Sequence, residues 1–197
     1  MLEKKKILRK IIKVRISALS AEEKAKREKL LLDNLFSMPE FLAAKTVMLF
    51  ANLPDEIGTF SLIDKCIAMG KKVFLPVING DEMTACEFTG EYRVGRYERK
   101  EPVVKQLGVR SEELGVNGLI TESRDNACIV RDFDFILVPG VGFSPNGYRL
   151  GRGKGYYDKF LSKYSNLFTV GVCFREQFYL DIPTEPHDIP MQKVIVV

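Results

Sequence analysis

The chain reads as an α/β protein, a three-layer αβα arrangement around a largely parallel sheet, built as a single domain over residues 1–197. Three observations predict this. Short apolar, β-branched runs at 46–51, 72–77, 135–138 and 168–174 alternate with helical patterns, and strands apolar on both faces belong in parallel sheets covered on both sides. A glycine-rich segment follows one of these runs, where open α/β sheets place their ligands. With 197 residues, 46% hydrophobic and 28% charged, the chain can bury one ordinary core without disulfides or metal.

Taken in order, residues 2–18 place Ile7, Leu8, Ile11, Ile12 and Ile16 at helical spacing opposite a basic face on which Lys5 and Arg9 lie one turn apart. Ser20-Ala21-Glu22-Glu23 is a capping-box pattern that starts a second helix at Ala21, running to about Phe36 before Pro39. Residues 46–51 then form a strand, Asn52 to Glu56 a loop, Thr59 the cap of a helix through Met69, and 72–77 the next strand, which together make a βαβ unit. A further strand is expected at 84–88, followed by a polar stretch over 89–101. Residues 106–131 carry a weak pattern, read as a helix-poor excursion with a short strand near 127–130. The strand at 135–138 ends at Pro139-Gly140, a helix spans about 156–164, a buried strand covers 168–174, and Val194 to Val197 forms a last strand.

The net charge of +4 is unevenly placed, since the first 15 residues carry +6 and the remainder −2. This favours local anion sites over a generally basic, nucleic-acid-binding body. Cys66, Cys86, Cys128 and Cys173 are scattered and form no C-x-x-C pair, which argues against a structural zinc or a disulfide framework and suits a reducing cytoplasm. No apolar run reaches the roughly 18 residues of a membrane-spanning helix, and charges occupy the place of a secretory signal's apolar core. The expectation is a cytoplasmic monomer with no membrane partner.

The stretch from Gly142 to Asp158 packs five glycines, three cations, three tyrosines and one acid into a short span. Glycines let backbone N–H groups approach an oxyanion, and Arg and Lys supply charge-assisted hydrogen bonds, so the stretch reads as a phosphate cradle. It matches neither common nucleotide fingerprint. Gly153-Lys154 is followed by Gly155 rather than Ser or Thr, and a G-x-G-x-x-G register fails at Tyr156. From the residues alone, the readings left open are a nucleotide-using enzyme, a turn without a ligand, and a nucleic-acid-binding module that uses the basic helix and the loop tyrosines.

Arg149-Leu150-Gly151-Arg152-Gly153-Lys154-Gly155-Tyr156-Tyr157-Asp158 resembles the signature of the 5-formyltetrahydrofolate cyclo-ligase family. Lys5 and Arg9 ahead of Ser20-Ala21-Glu22-Glu23, Pro54-Asp55-Glu56-Ile57, Phe174-Arg175-Glu176-Gln177 and Pro186-His187-Asp188 resemble further family markers in the same order. The resemblance implies an αβα fold and closure of 5-formyltetrahydrofolate to 5,10-methenyltetrahydrofolate with ATP and Mg2+. It implies ATP contacts at Lys5, Arg9, Gly147, Arg149, Gly151, Arg152, Gly153, Lys154 and Gly155, among which Lys154, Arg149 and Arg152 are catalytic. It further implies folate contacts at Glu56, Tyr97 and Tyr156, and magnesium ligands at Asp158 and Asp188. Ser144 departs from the family, which usually has Asp there, and supplies no charge at that position.

Overall fold

In the computed structural model, which describes residues 2–94, 100–104, 133–164 and 167–197, the expected strands join one mixed sheet. Its strands are β1 (Thr46–Met48), β2 (Lys72–Asn79), β3 (Glu82–Val94), β4 (Lys100–Val104), β5 (Phe135–Val138), β8 (Phe168–Cys173) and β9 (Lys193–Val196), in the order β4-β3-β2-β1-β5-β8-β9. Every pairing from β2 through β9 is parallel, while β3 and β4 add an antiparallel hairpin at one edge. Between β5 and β8, the two-residue strands β6 (Gly142–Phe143) and β7 (Arg149–Leu150) form a separate ribbon.

The period of two in the central strands sorts their side chains into two cores. Val47, Leu49, Val73, Leu75, Phe135 and Leu137 face the layer that holds α1 (Leu2–Ser17), α2 (Ala21–Phe36), α3 (Pro39–Ala43) and α4 (Phe60–Ala68). Met48, Phe74, Ile136 and Val138 face the opposite layer with α5 (Tyr156–Leu161). Among the described residues the layers are therefore unequal, with four helices on one side and one short helix on the other. The chain turns around β1: β2 lies on one side of it and β5 on the other, which makes the β1/β5 seam a topological switch point.

Several boundaries differ from the sequence reading for physical reasons. The strand at 46–51 pairs only through Met48, with Leu49 N–H still donating to Phe74 O, because β1 and β5 separate beyond that point to open the seam. Of the polar stretch at 89–101, the described residues 89–94 and 100–101 are strand. An edge hairpin shows one face to solvent, so polar residues alternate with apolar ones in β3 without breaking the ladder, which shifts register between Phe88 and Tyr92. The last helix stops at Leu161 rather than Tyr164. Ser20 caps α2 through the expected capping box with Glu23, whereas Thr59 makes no cap bond and donates its buried hydroxyl to Phe50 O. The excursion at 106–131, with its strand near 127–130, lies outside the described residues, as does Cys128.

Lys71 was not legible as a structural residue. Its ammonium is buried and donates to the carbonyls of Phe41, Leu42 and Ala44 at the end of α3, with the Phe41 ring 5.4 Å away. It supplies partners for carbonyls that a helix end leaves open. Lys71→Met keeps the apolar stem but removes these bonds, and it is expected to lower stability by about 1–3 kcal/mol, read from the urea midpoint.

Candidate active site

At the switch point, the ends of β1 and β5 and the segment after β7 enclose a cleft of about 270 Å³. Phe50, Pro76, Met83, Pro139 and Tyr156 supply apolar lining, and Glu56, Arg152 and Lys154 supply charge. A smaller cleft of about 140 Å³ adjoins it, sharing Gly140 and Arg152 and bounded by Arg9, Lys13 and Asp55.

The glycine-rich stretch is two structures rather than one loop. Its first part is the β6–β7 ribbon, closed by a tight turn in which Ser144 N–H donates to Tyr148 O and Gly147 N–H to Ser144 O. Gly147 has φ +81°, and a Cβ there would sit 2.1 Å from Met191 O, whose own N–H donates to Gly147 O. Gly147, expected among the ATP contacts, thus has its amide already engaged within the turn and is required by close backbone approach. Ser144 is buried inside the same turn, where a short side chain fits.

Only Gly151 to Gly155 remains as an open cradle. The N–H groups of Gly151, Gly153 and Gly155 donate to no protein acceptor among the described residues, and Gly153 and Gly155 hold φ of +104° and +67°. Lys154 is exposed and makes no ion pair among the described residues. Arg9, from α1, donates from Nε to Gly151 O at 2.8 Å, and its guanidinium lies 3.6 Å from where a Gly153 Cβ would be. α5 has six residues, so loop amides and side-chain cations, rather than a long helix dipole, give the cradle its positive character.

The remaining expected ligands are paired with one another. Arg149, with its side chain 4% exposed, is 2.9 Å from Asp158 Oδ1, with its guanidinium carbon 5.7 Å from the Tyr157 ring centre. Burial lowers its pKa, with Asp158 as the main opposing influence. Asp158 Oδ1 also accepts from Ile189 N–H at 3.1 Å, which brings it beside the chain at Asp188. Asp188 Oδ2 accepts from Lys5 Nζ at 3.0 Å and Glu185 N–H at 2.8 Å, while Lys5 also reaches Glu185 at 2.8 Å. Arg152 Nη2 bonds both Asp55 Oδ1 at 2.7 Å and Glu56 Oε1 at 3.0 Å. Tyr156 lines the cleft and donates to Gly80 O, whereas Tyr97 lies outside the described residues.

Two residues without an assigned role complete the site. Gln177 is 3% exposed and donates from Nε2 to Gly140 O and Val141 O, bracing the floor between the clefts, while its Oε1 accepts from Phe174 N–H. Tyr157 contributes to the cleft wall, and its buried hydroxyl has no partner among the described residues, an arrangement that raises its pKa by desolvation. The signal for Gln177 was its place in the C-terminal marker; nothing in the sequence distinguished Tyr157 from a core anchor.

A hard divalent cation would find oxygen donors here. Glu185, His187 and Asp188 offer ligand atoms within 4.8 Å of one another, and the other carboxylate oxygens of Asp158 and Asp188 make no hydrogen bond among the described residues. Such a set suits magnesium shared with phosphate oxygens. Among the described residues no helix is long and apolar enough to cross a membrane.

Fold and site define an α/β enzyme with a glycine- and cation-lined cleft at its switch point. The family model for the 5-formyltetrahydrofolate cyclo-ligase family matches residues 1–197. A Mus musculus 5-formyltetrahydrofolate cyclo-ligase is 30% identical over 201 residues, covering 97% of this chain and 92% of its own. A Schizosaccharomyces pombe protein named as a probable 5-formyltetrahydrofolate cyclo-ligase is 33% identical over 172 residues, covering 80% and 78%. The solution structure of Aquifex aeolicus 5,10-methenyltetrahydrofolate synthetase superposes with a TM-score of 0.74 at 30% identity, over 98% of this chain and 89% of that one. The chain belongs to the 5-formyltetrahydrofolate cyclo-ligase family and is an enzyme of the ligase class.

Two outcomes test this geometry. Gly147→Ala should destabilise the protein by about 1–3 kcal/mol or more, because it adds a left-handed alanine to a backbone clash, and thermal melting reads the loss. The Lys5–Asp188 tie gives α1 a defined pH window. Burial works against the charge on Lys5, but Glu185 and Asp188 outweigh it and raise its pKa above the ordinary 10.5. Burial also disfavours ionised Asp188, yet Lys5 and the Glu185 N–H lower its pKa below the ordinary 3.8. Asp188 therefore contributes stability above its ordinary value that is lost as pH falls through the folded one. Lys5 contributes fully below 10.5 and loses its share as pH rises through its raised value. Hydrogen exchange in α1 should stay slow across neutral pH and accelerate only in acid or strong alkali.

Proposed function

We propose that this chain, as a single catalytic domain, closes 5-formyltetrahydrofolate to 5,10-methenyltetrahydrofolate with ATP and Mg2+, releasing ADP and phosphate. The observation that carries this reading is the meeting, in one cleft, of an open Gly151–Gly155 cradle, the cations Arg152 and Lys154, and the carboxylate of Glu56. A formamide oxygen is a poor leaving group. Transfer of the ATP γ-phosphoryl to that oxygen makes it a good one; the neighbouring N10 then attacks the formyl carbon, phosphate departs with the C–O bonding pair, and the N10 proton passes to solvent. Phosphoryl transfer of this kind depends on positioning and charge neutralisation more than on an acid or base from the protein.

In this reading the glycine amides with Lys154 and Arg152 hold the phosphates, and Arg9 steadies the cradle through Gly151. Arg149 fixes Asp158, and Lys5 fixes Asp188, so that these acids would hold the magnesium, which supplies charge neutralisation at the phosphates. Glu56 accepts from the paired N–H donors of the pterin ring, and Tyr156 packs on that ring. The mouse and Aquifex relatives, through their names, support the substrate class. The protein would act as a cytoplasmic monomer.

Purified protein mixed with ATP, magnesium and 5-formyltetrahydrofolate should produce the near-ultraviolet absorbance of methenyltetrahydrofolate; folded protein that gives no signal would sink the proposal. Lys154→Ala should reduce kcat by about 10²–10³-fold, the cost of removing one preorganised donor to developing charge. Its melting temperature should stay at the wild-type value, because the side chain is exposed and makes no ion pair among the described residues.

A further inference from the structure

Arg152 stands at the seam between the two clefts and lines both of them. A single nitrogen, Nη2, serves two acids that lie on different sides of it. Glu56, with its side chain 10% exposed, belongs to the larger cleft, and Asp55, 35% exposed, to the smaller one. Glu56 is additionally fixed through Oε2, which accepts from Leu53 N–H at 2.9 Å, so its carboxylate stays in place whether or not Arg152 is present.

We propose that Asp55 is a positioning residue that keeps Arg152 at the seam when a ligand takes Glu56, leaving the guanidinium oriented for an anionic ligand in the neighbouring cradle. This rests on the reading that Glu56 meets the pterin ring and Arg152 a phosphate.

Nη2 carries two hydrogens, one directed at each carboxylate. A cationic or N–H-rich ring edge that binds Glu56 competes for its oxygen and frees one of these hydrogens. With Asp55 present, the other contact, at 2.7 Å the shorter of the two, persists, and the arginine stays between the clefts with its remaining N–H groups bonded to no acceptor among the described residues. Without Asp55, an arginine whose side chain is 46% exposed returns to solvent, and a phosphate must then order a long, rotamer-rich side chain before binding it. Asp55 is kept ionised for this task. Partial burial opposes its charge, but Arg152 and, more weakly, Lys13 overcome that and hold its carboxyl below the ordinary range. The effect is confined to one ligation state. While Glu56 is unoccupied, it anchors Arg152 itself and Asp55 is redundant.

The test is the affinity of Asp55→Ala, which removes the acceptor for Arg152 Nη2, for a β,γ-methylene ATP analogue with magnesium, measured by calorimetry with and without saturating 5-formyltetrahydrofolate. Without folate, the variant should bind within about twofold of wild type; with folate, it should bind roughly 3- to 10-fold more weakly, the value of one positioned hydrogen bond. Asp55→Glu, which keeps the acid, should recover most of the loss, and the melting temperature should not change in either variant. An equal loss in both ligation states, a gain from removing a negative charge, or no change would overturn the inference while leaving the functional reading intact. A folded wild type that binds neither ligand would overturn that reading and this inference with it.

Discussion

A buried guanidinium organises this site. Arg149 leaves the β6–β7 ribbon with almost no exposure, and a charge so placed costs several kcal/mol unless it is paired and hydrogen-bonded. Asp158 supplies the charge, the Ile189 carbonyl lies 3.4 Å from its Nη1, and the Tyr157 ring lies against it. Those partners come from the first turn of α5 and from the segment before β9. One buried charge therefore fixes the two ends of the Gly151–Gly155 cradle relative to the C-terminal strand and holds Asp158 beside Asp188.

The same economy of charge recurs around the cleft. Lys5 is neutralised by Glu185 and Asp188, and Arg152 by Asp55 and Glu56, so most charged groups that could meet ligands first meet each other. Such pairs preorganise side chains that would otherwise be mobile and keep acids ionised close to the cradle. Lys154 and the glycine amides stand apart, as cationic or N–H groups without protein partners among the described residues. That asymmetry explains how a cleft with several acids retains a locally positive surface for an anion.

Packing around β6 shows why the cradle needs a ribbon before it. Phe143 is fully buried, with its ring against the backbones of Gly140 and Gly171, where a Cβ would approach to 2.7 Å and 2.3 Å. Gln177 braces the same corner through the Gly140 and Val141 carbonyls, and Arg27 ties its neighbour Glu176 to α2. The chain leaving β5 is thus held by close packing up to Leu150, and backbone N–H groups without a protein acceptor among the described residues begin at Gly151.

Much of this fold was legible in the sequence because its signals are local. Short continuous apolar runs, the Ser20–Glu23 capping box and the alternation of strand and helix patterns each depend on neighbouring residues, and they determined the parallel sheet, the βαβ unit and the final strand. The motif order from Lys5 to Asp188 likewise determined the family. Tertiary structure alone decided the pairings: that Arg149 belongs to Asp158, Lys5 to Asp188 and Arg152 to both Asp55 and Glu56, that Lys71 closes α3, and that Gly147 serves a turn rather than the open cradle. Most of these join residues far apart in the chain, and the energy of a buried charge or a close backbone approach depends on what is folded against it, which no local pattern encodes.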